Sequence, residues 1–297
     1  MSHDQGDKDE DRMEPMSTAR RRPLGTMIAY GFPRGDVAID LALAVRLGAS
    51  RVEALPDWRE YPDPIVLKVR AADLGLSIHS AHACWGGRAI AADRVDLGST
   101  DPAVARASRD DLKRCVDWLV GAGGTCLIVH PGGLSDPDEA PFRRDSLSAG
   151  LLDLADHALG SGVTLCVENM PPGVHPGSRM GDLAALVAEL DRPEIALALD
   201  TGHAHLGEGV ETETLAAGRW LKTTHVHDNA DRKDAHLPPG LGTIDWALWR
   251  SSLDAIDYQG VIMLECIRAL REVPSRIDDS LLALLDLLCS ETDTENE

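Results

Sequence analysis

The chain has 297 residues, enough for two small domains or for one barrel of eight strand–helix units, which takes about 250. Hydrophobic residues make up 43% and aromatic ones only 4%, so a core can form and must pack on Leu, Ala, Val and Ile; a disordered chain is excluded. The 49 acidic residues against 29 basic ones give a formal charge of -20, a field that repels a phosphate backbone and disfavours nucleic acid as a partner.

Residues 1–22 are polar and lack hydrophobic periodicity, which predicts a flexible extension. Arg20, Arg21 and Arg22 are followed by only a short apolar stretch, not by the hydrophobic segment of a secretory signal. No run approaches the ~18 apolar residues of a membrane span, so a cytoplasmic location is expected. From Leu24 onward, short apolar runs alternate with amphipathic segments in the manner of repeated βα units. The predicted strands are 26–30, 51–55, 77–82, 125–130, 163–168, 196–200, 223–227 and 261–265. Between them, 36–47, 101–120, 142–159, 180–190 and 273–289 carry apolar residues at three and four spacing, as helices on the outside of a barrel require. Asp101 before Pro102, and Gly48, Gly121 and Gly160 near helix ends, supply start and stop signals. No Pro- or Ser-rich linker divides the units, so residues 23–290 are expected to form one (β/α)8 TIM barrel, an α/β fold, ahead of an acidic tail at 291–297. The six cysteines contain no CxxC pair and read as buried thiols.

Barrel active sites are built at the C-terminal ends of the strands, so what stands there matters most. Strand three reads SIHSAH, four CLIVH, five VTLCVE, six ALALD, seven THVHD and eight VIMLE. Six of the eight runs end in a metal-type side chain, although Asp, Glu and His together make up only about one residue in five. Imidazole and carboxylate without cysteine suit a divalent transition ion, with Zn or Mn favoured, where an all-oxygen set would suggest Mg or Ca.

The motifs H-S-A-H (79–82), V-H-P-G-G (129–133), V-E-N-M-P (167–171), L-D-T-G-H-A-H (199–205), H-V-H-D-N (225–229), D-A-H-L-P-P-G-L-G-T-I-D-W (234–246) and L-E (264–265), in this order, resemble the xylose isomerase-like TIM-barrel superfamily. That superfamily holds sugar-phosphate isomerases and epimerases and also endonuclease IV. The resemblance to endonuclease IV implies three metal sites: His79, His130 and Glu168; Glu168, Asp200, His225 and Glu265; and His203, Asp234 and His236. Resemblance to the single-metal epimerases implies the second set alone, with Glu168 and Glu265 as the catalytic pair. His82, Trp85, Asn169, Arg179 and His227 are candidate substrate contacts. His82, His205 and His227 also read as residues supporting the ligands, and Trp85 equally as a packing residue. Arg179 and Lys222 lie near rim segments, where either a ligand anion or solvent would meet their charge. Asp228 and Asn229 either orient a ligand histidine or cap the following loop.

Two reactions suit such a site. One is isomerisation or epimerisation of a small sugar or sugar phosphate through a metal-stabilised enediolate, with carboxylates moving the proton. The other is phosphoester hydrolysis by two or three ions, on a small phosphodiester or abasic DNA, which gives the additional histidines a purpose; over both readings the site holds one to three ions. The acidic body weighs against DNA, and the loop at 234–246 resembles the isomerases and epimerases, which places sugar chemistry first. A non-catalytic binding barrel has no need of two ionised glutamates in one site. The sequence leaves an oligomer open.

Overall fold

The computed structural model describes residues 22–28, 36–56, 63–84, 95–230 and 232–290. The expected N-terminal extension, all but its last residue, and the acidic tail at 291–297 lie outside the described residues. Eight strands are present: β1 Leu24–Met27, β2 Arg51–Ala54, β3 Ser77–His82, β4 Cys126–Val129, β5 Thr164–Glu168, β6 Ile195–Asp200, β7 Leu221–His225 and β8 Ile262–Leu264. They form one parallel sheet in the order β7-β6-β5-β4-β3-β2-β1-β8. The seam between β7 and β8 is bridged by Val226, whose N–H donates to Met263 O at 2.7 Å and whose carbonyl accepts from Glu265 N at 3.0 Å. The chain is therefore a (β/α)8 barrel, the fold its patterning predicts.

Strands enclosed between a barrel interior and a helical ring are buried on both faces, which is why they read as apolar runs. All six residues of β6 are buried. Around the sheet lie α1 Val37–Arg46, α2 Ile65–Ala72, α3 Pro102–Ala122, α4 Ala140–Ala158, α5 Met180–Leu190, α6 Thr201–Leu206, α7 Val210–Ala217, α8 Trp246–Ala255, α9 Ile267–Glu272 and α10 Asp279–Cys289. Asp101 caps α3 as its position before Pro102 predicts, accepting from Ala103 N at 2.8 Å. The stop comes at Gly123, in the left-handed conformation at φ 80, and not at Gly121. Gly121 stays helical, and the space its missing side chain leaves is taken by the Pro64 ring of the neighbouring helix. The last helix starts at Asp279, later than expected, because a single 3-10 turn occupies Pro274–Arg276 and Asp278 supplies the cap, accepting from Leu281 N at 3.0 Å.

Two irregularities in the sheet position side chains. Val52 pairs with Ile78 but Glu53 pairs with Ser80, so His79 is an extra residue bulged into β3. Leu197 pairs with Leu221 but Ala198 with Thr223, so Lys222 is an extra residue in β7. A bulge re-aims the side chains that follow it. After these two, Ser80, His82 and His225 all meet the carboxylates of the barrel interior. Below that layer the interior is apolar, filled by Cys126, Ile128, Cys166, Ala196 and Ala198.

Candidate active site

Glu168, Asp200 and His225 are the last residues of β5, β6 and β7, and Glu265 directly follows β8. Four strands thus deliver four donors to one point at the C-terminal rim. Each offers a ligand atom within 4.8 Å of the others, and all four residues are buried. His225 Nδ1 lies 2.6 Å from Glu168 Oε1 and 3.0 Å from Glu265 Oε2. A ring nitrogen carries one proton at most, so it cannot donate to both carboxylates. Glu168 Oε2 and Glu265 Oε2 are buried, and what they face are imidazole nitrogens, His130 Nε2 and His225 Nδ1, each at 3.0 Å. Two buried carboxylates sharing one imidazole nitrogen, with the buried carboxylate of Asp200 beside them, are costly to keep out of water unless a cation joins them, and the mixed oxygen and nitrogen donor set fits a divalent transition ion.

The imidazoles follow a common pattern. His82 Nδ1 donates to Ala83 O at 2.7 Å, His203 Nδ1 to Asn169 O at 2.9 Å and His236 Nδ1 to Glu265 O at 3.0 Å. A carbonyl only accepts, so these bonds put the proton on Nδ1 and turn Nε2 toward a carboxylate: Glu168 for His82, Asp234 for His203 and His236. His225 is held the other way round, its Nε2 on Glu53 Oε1 at 2.8 Å and its Nδ1 facing Glu168 and Glu265. Rings anchored on the outer nitrogen with the inner one turned to a shared focus are what metal-ligating histidines require.

Beside the quartet, His130 Nε2 stands 3.0 Å and His82 Nε2 3.8 Å from Glu168 Oε2. On the other side, Asp234 Oδ2 lies 3.3 Å from His203 Nε2 and 3.1 Å from His236 Nε2, while His227 Nε2 is 3.1 Å from Asp200 Oδ2. His227 stacks on His236 with ring centroids 4.1 Å apart. A methyl group at Gly202 would collide with the His227 ring, so the glycine of the D-T-G-H motif makes room for it. His236 itself holds φ 45, a left-handed conformation rarely adopted by residues with side chains, of the kind that marks functional loops.

Burial alone pushes the Glu168 carboxyl up, but the charge of His225 and the hydrogen bonds of His130 and His225 outweigh it and hold the group well below its usual range. Burial pushes His225 down, and Glu53, Glu265 and Glu168 together raise it well above its ordinary value. His203 is pushed up to about 10, against burial, by Asp200 and Asp234. His236 reaches about 9 in the same way, through Asp234 and Glu265. His82 goes the other way, lowered by burial and by His130. A cation entering the cluster must displace the protons that His203, His225 and His236 hold.

The structure brings together Glu168, Asp200, His225, Glu265, His130, His203, Asp234 and His236, but not His79. That residue is the bulge of β3 and lines a cavity at the opposite, N-terminal mouth with Arg51 and Lys222. Three strand residues span about 10 Å, so of the two histidines in H-S-A-H only one can stand at the rim. It is His82, expected as a substrate contact, that packs with His130 and Glu168. Asn169 is also no substrate contact: its Nδ2 donates to Asp200 O at 3.1 Å and its Oδ1 accepts from Asp200 N at 2.7 Å, so the side chain is consumed in tying β5 to β6. Arg179 is exposed and paired with Glu208 at 3.0 Å. His227 is buried against Asp200, a ligand-like position. His205 reaches Thr243 Oγ1 at 2.9 Å. Trp85 lies outside the described residues. Sequence reasoning missed Glu53, which is fully buried and also accepts from Ser80 Oγ at 2.5 Å. Its signal was an acid in the middle of an apolar strand.

Asp228 and Asn229 shape the loop that carries Asp234 and His236. Asp228 accepts from the N–H groups of Asn229, Gly240 and Ile244 and from Trp246 Nε1. Asn229 accepts from Ala235 N at 2.6 Å and donates to Gly202 O at 3.0 Å.

A parallel barrel with carboxylates and anchored imidazoles converging at its C-terminal rim defines a class of protein able to hold a metal there. Within that class, the chain belongs to the xylose isomerase-like TIM barrel family, whose model matches residues 41–287. It is 30% identical over 191 residues to an L-ribulose 3-epimerase of Methylomonas sp. (strain DH-1), covering 62% of this chain and 63% of that protein, a little under two thirds of its length. It is 28% identical over 223 residues to a ketose 3-epimerase of Arthrobacter globiformis, covering 72% of this chain and 74% of that protein. A probable endonuclease 4 of Thermoplasma acidophilum is 29% identical over 170 residues, 52% of this chain and 57% of that protein. Among solved structures, an L-ribulose 3-epimerase superposes with a TM-score of 0.70 at 21% identity, covering 91% of this chain and 92% of that one, which supports the fold. Among the described residues, no helix is long and apolar enough to cross a membrane.

Proposed function

We propose that the protein is a divalent-metal-dependent sugar epimerase or isomerase, acting on a ketose or its phosphate at the carbon beside the carbonyl. The observation that carries this reading is the meeting of two buried carboxylates, Glu168 and Glu265, delivered by different strands, on one nitrogen, His225 Nδ1, at 2.6 and 3.0 Å. Epimerisation needs a base on one face of a carbon and an acid on the other. Glu168 and Glu265 supply them, one taking the carbon-bound proton and the other returning a proton from the opposite side. Asp200 and His225 complete the set that would hold a Zn or Mn ion with the two glutamates. A bound divalent ion supplies Lewis-acid polarisation of the carbonyl and the neighbouring hydroxyl, lowering the cost of the negative charge that develops as the proton leaves. The names of the two epimerase relatives agree with this chemistry.

The direct test is incubation with a panel of ketoses and ketose phosphates in deuterated solvent, following deuterium at the carbon beside the carbonyl and the ratio of epimers. The proposal expects both to change with at least one sugar and Glu168→Gln to abolish both. No exchange across the panel, with an active bis-aryl phosphodiester assay, would transfer the site to a second reading. That reading is multinuclear phosphoester hydrolysis. It is favoured by the donors outside the quartet, His82 and His130 on one side and His203, Asp234 and His236 on the other. The acidic body, at -20 overall, makes a small phosphodiester a better substrate for it than abasic DNA.

A further inference from the structure

At the N-terminal mouth of the barrel lies a cavity of about 700 Å³ whose lining includes Arg51, His79, Thr125, Arg219, Lys222 and Asp257. In a chain of charge -20, three cations around one cavity stand out. Several basic side chains elsewhere are drawn into pairs, such as Arg143 with Asp96, Arg271 with Asp40 and Arg192 with Asp156. Arg51, Arg219 and Lys222 form no ion pair among the described residues. Arg51 Nη1 meets only the carbonyl of Ser50, at 3.2 Å, and Arg219 lies over the Trp220 ring at 4.7 Å. The acid on the wall, Asp257, accepts from Gln259 Nε2 at 3.2 Å.

Both irregularities of the sheet end here. His79 and Lys222 are the extra residues of the bulges in β3 and β7, and these two line the same cavity. A regular strand at either place has no such residue to offer, and a bulge costs ladder hydrogen bonds. The His79 ring, its Nε2 buried, lies against the Cys126 thiol at the floor of the cavity. The apolar interior layer of Cys126, Ile128, Cys166, Ala196 and Ala198 separates this end from the rim.

We propose that the cavity binds a phosphate group, as inorganic phosphate or on a small phosphate monoester, with Arg51 and Lys222 supplying charge and the Thr125 hydroxyl supplying an oriented hydrogen bond. Charge-assisted bonds from Arg and Lys to phosphate oxygens are short and strong. The site is independent of the chemistry at the rim and stands or falls separately from it.

The test is isothermal titration of the full-length holoprotein, at constant ionic strength, with inorganic phosphate, a hexose phosphate and the same hexose without phosphate. Saturable binding of both phosphate compounds is expected, and any signal from the free sugar, which belongs to the rim, should be untouched by K222Q and R51Q. A tighter hexose phosphate would show that the monoester is the ligand, and equal affinities that the phosphate group alone is read. K222Q and R51Q should each weaken binding about tenfold, while Glu265→Gln at the rim leaves it unchanged. Lys222 is exposed, so K222Q is not expected to disturb the fold. No saturable phosphate binding below about 10 mM, unchanged affinity in K222Q and R51Q, or loss in Glu265→Gln would overturn the proposal.

Discussion

Two kinds of buried carboxylate stand close together at the rim. Asp228 is enclosed by four donors, at 2.9 Å from Asn229 N, 2.9 Å from Gly240 N, 3.2 Å from Ile244 N and 3.0 Å from Trp246 Nε1. Glu168 and Glu265 are as deeply buried, yet what they meet are imidazole nitrogens, and they share one nitrogen of His225 between them. A carboxylate that serves structure is saturated with N–H groups; one that serves chemistry is left to be met by a cation and a substrate. Losing the first kind should cost stability. Losing the second should cost function and leave the fold intact.

The largest effect is expected at the second kind. Glu265→Gln or Glu168→Gln should lower epimerisation turnover by about a thousandfold or more, with the melting temperature of the metal-free protein lowered only modestly, since the neutral amide forgoes the attraction of the His225 charge but keeps the shape of the side chain. A steady-state assay beside a thermal melt checks both. Asp228→Ala should do the reverse: it strands several buried N–H groups and should cost about 3 kcal/mol of stability in urea unfolding. Its residual activity should be limited by a loosened Asp234 and His236 loop.

Glu53 falls between the two kinds, since it is saturated by His225 and Ser80 but acts on a candidate ligand. Glu53→Gln should weaken cation binding about 10- to 100-fold, read by calorimetry, because the His225 ring loses its charged anchor. The pH dependence sharpens the same point. His203 and His236, at about 10 and about 9 in the cation-free protein, are protonated at neutral pH, and a protonated ring cannot ligate. Cation affinity should therefore fall as pH falls, and binding should release protons, measurable in buffers of different ionisation enthalpy. The smallest effect is expected at Arg179, whose pairing with Glu208 is exposed. Arg179→Ala should change activity less than about twofold.

The barrel was legible because parallel strands covered on both faces must be apolar along their length, and eight such runs alternate with amphipathic segments. The rim was legible for the same reason: where an apolar run stops at Glu168, Asp200 or His225, the polar residue stands at the strand end. What could not be read was the bulge. A single extra residue in β3 shifts the register ahead of the histidine of H-S-A-H that reaches the rim, and Lys222, expected near the rim, is the extra residue at the start of β7 and lines the opposite mouth. Neither insertion leaves a composition signal, since register depends on the partner strand. Glu53 was overlooked because it stands inside a strand and not at its end. Asn169 misled because a polar residue beside a ligand can be a structural tie as readily as a substrate contact.

The central claim is that Glu168, Asp200, His225 and Glu265 hold a divalent transition ion. Elemental analysis of protein purified without chelator, run beside Asp200→Ala and Glu265→Gln, tests it most directly. At least one Zn or Mn ion per wild-type chain, with clear depletion in both variants, is the predicted result. A wild-type chain that binds no transition ion even after incubation with Zn or Mn, or variants that retain the full complement, would contradict it.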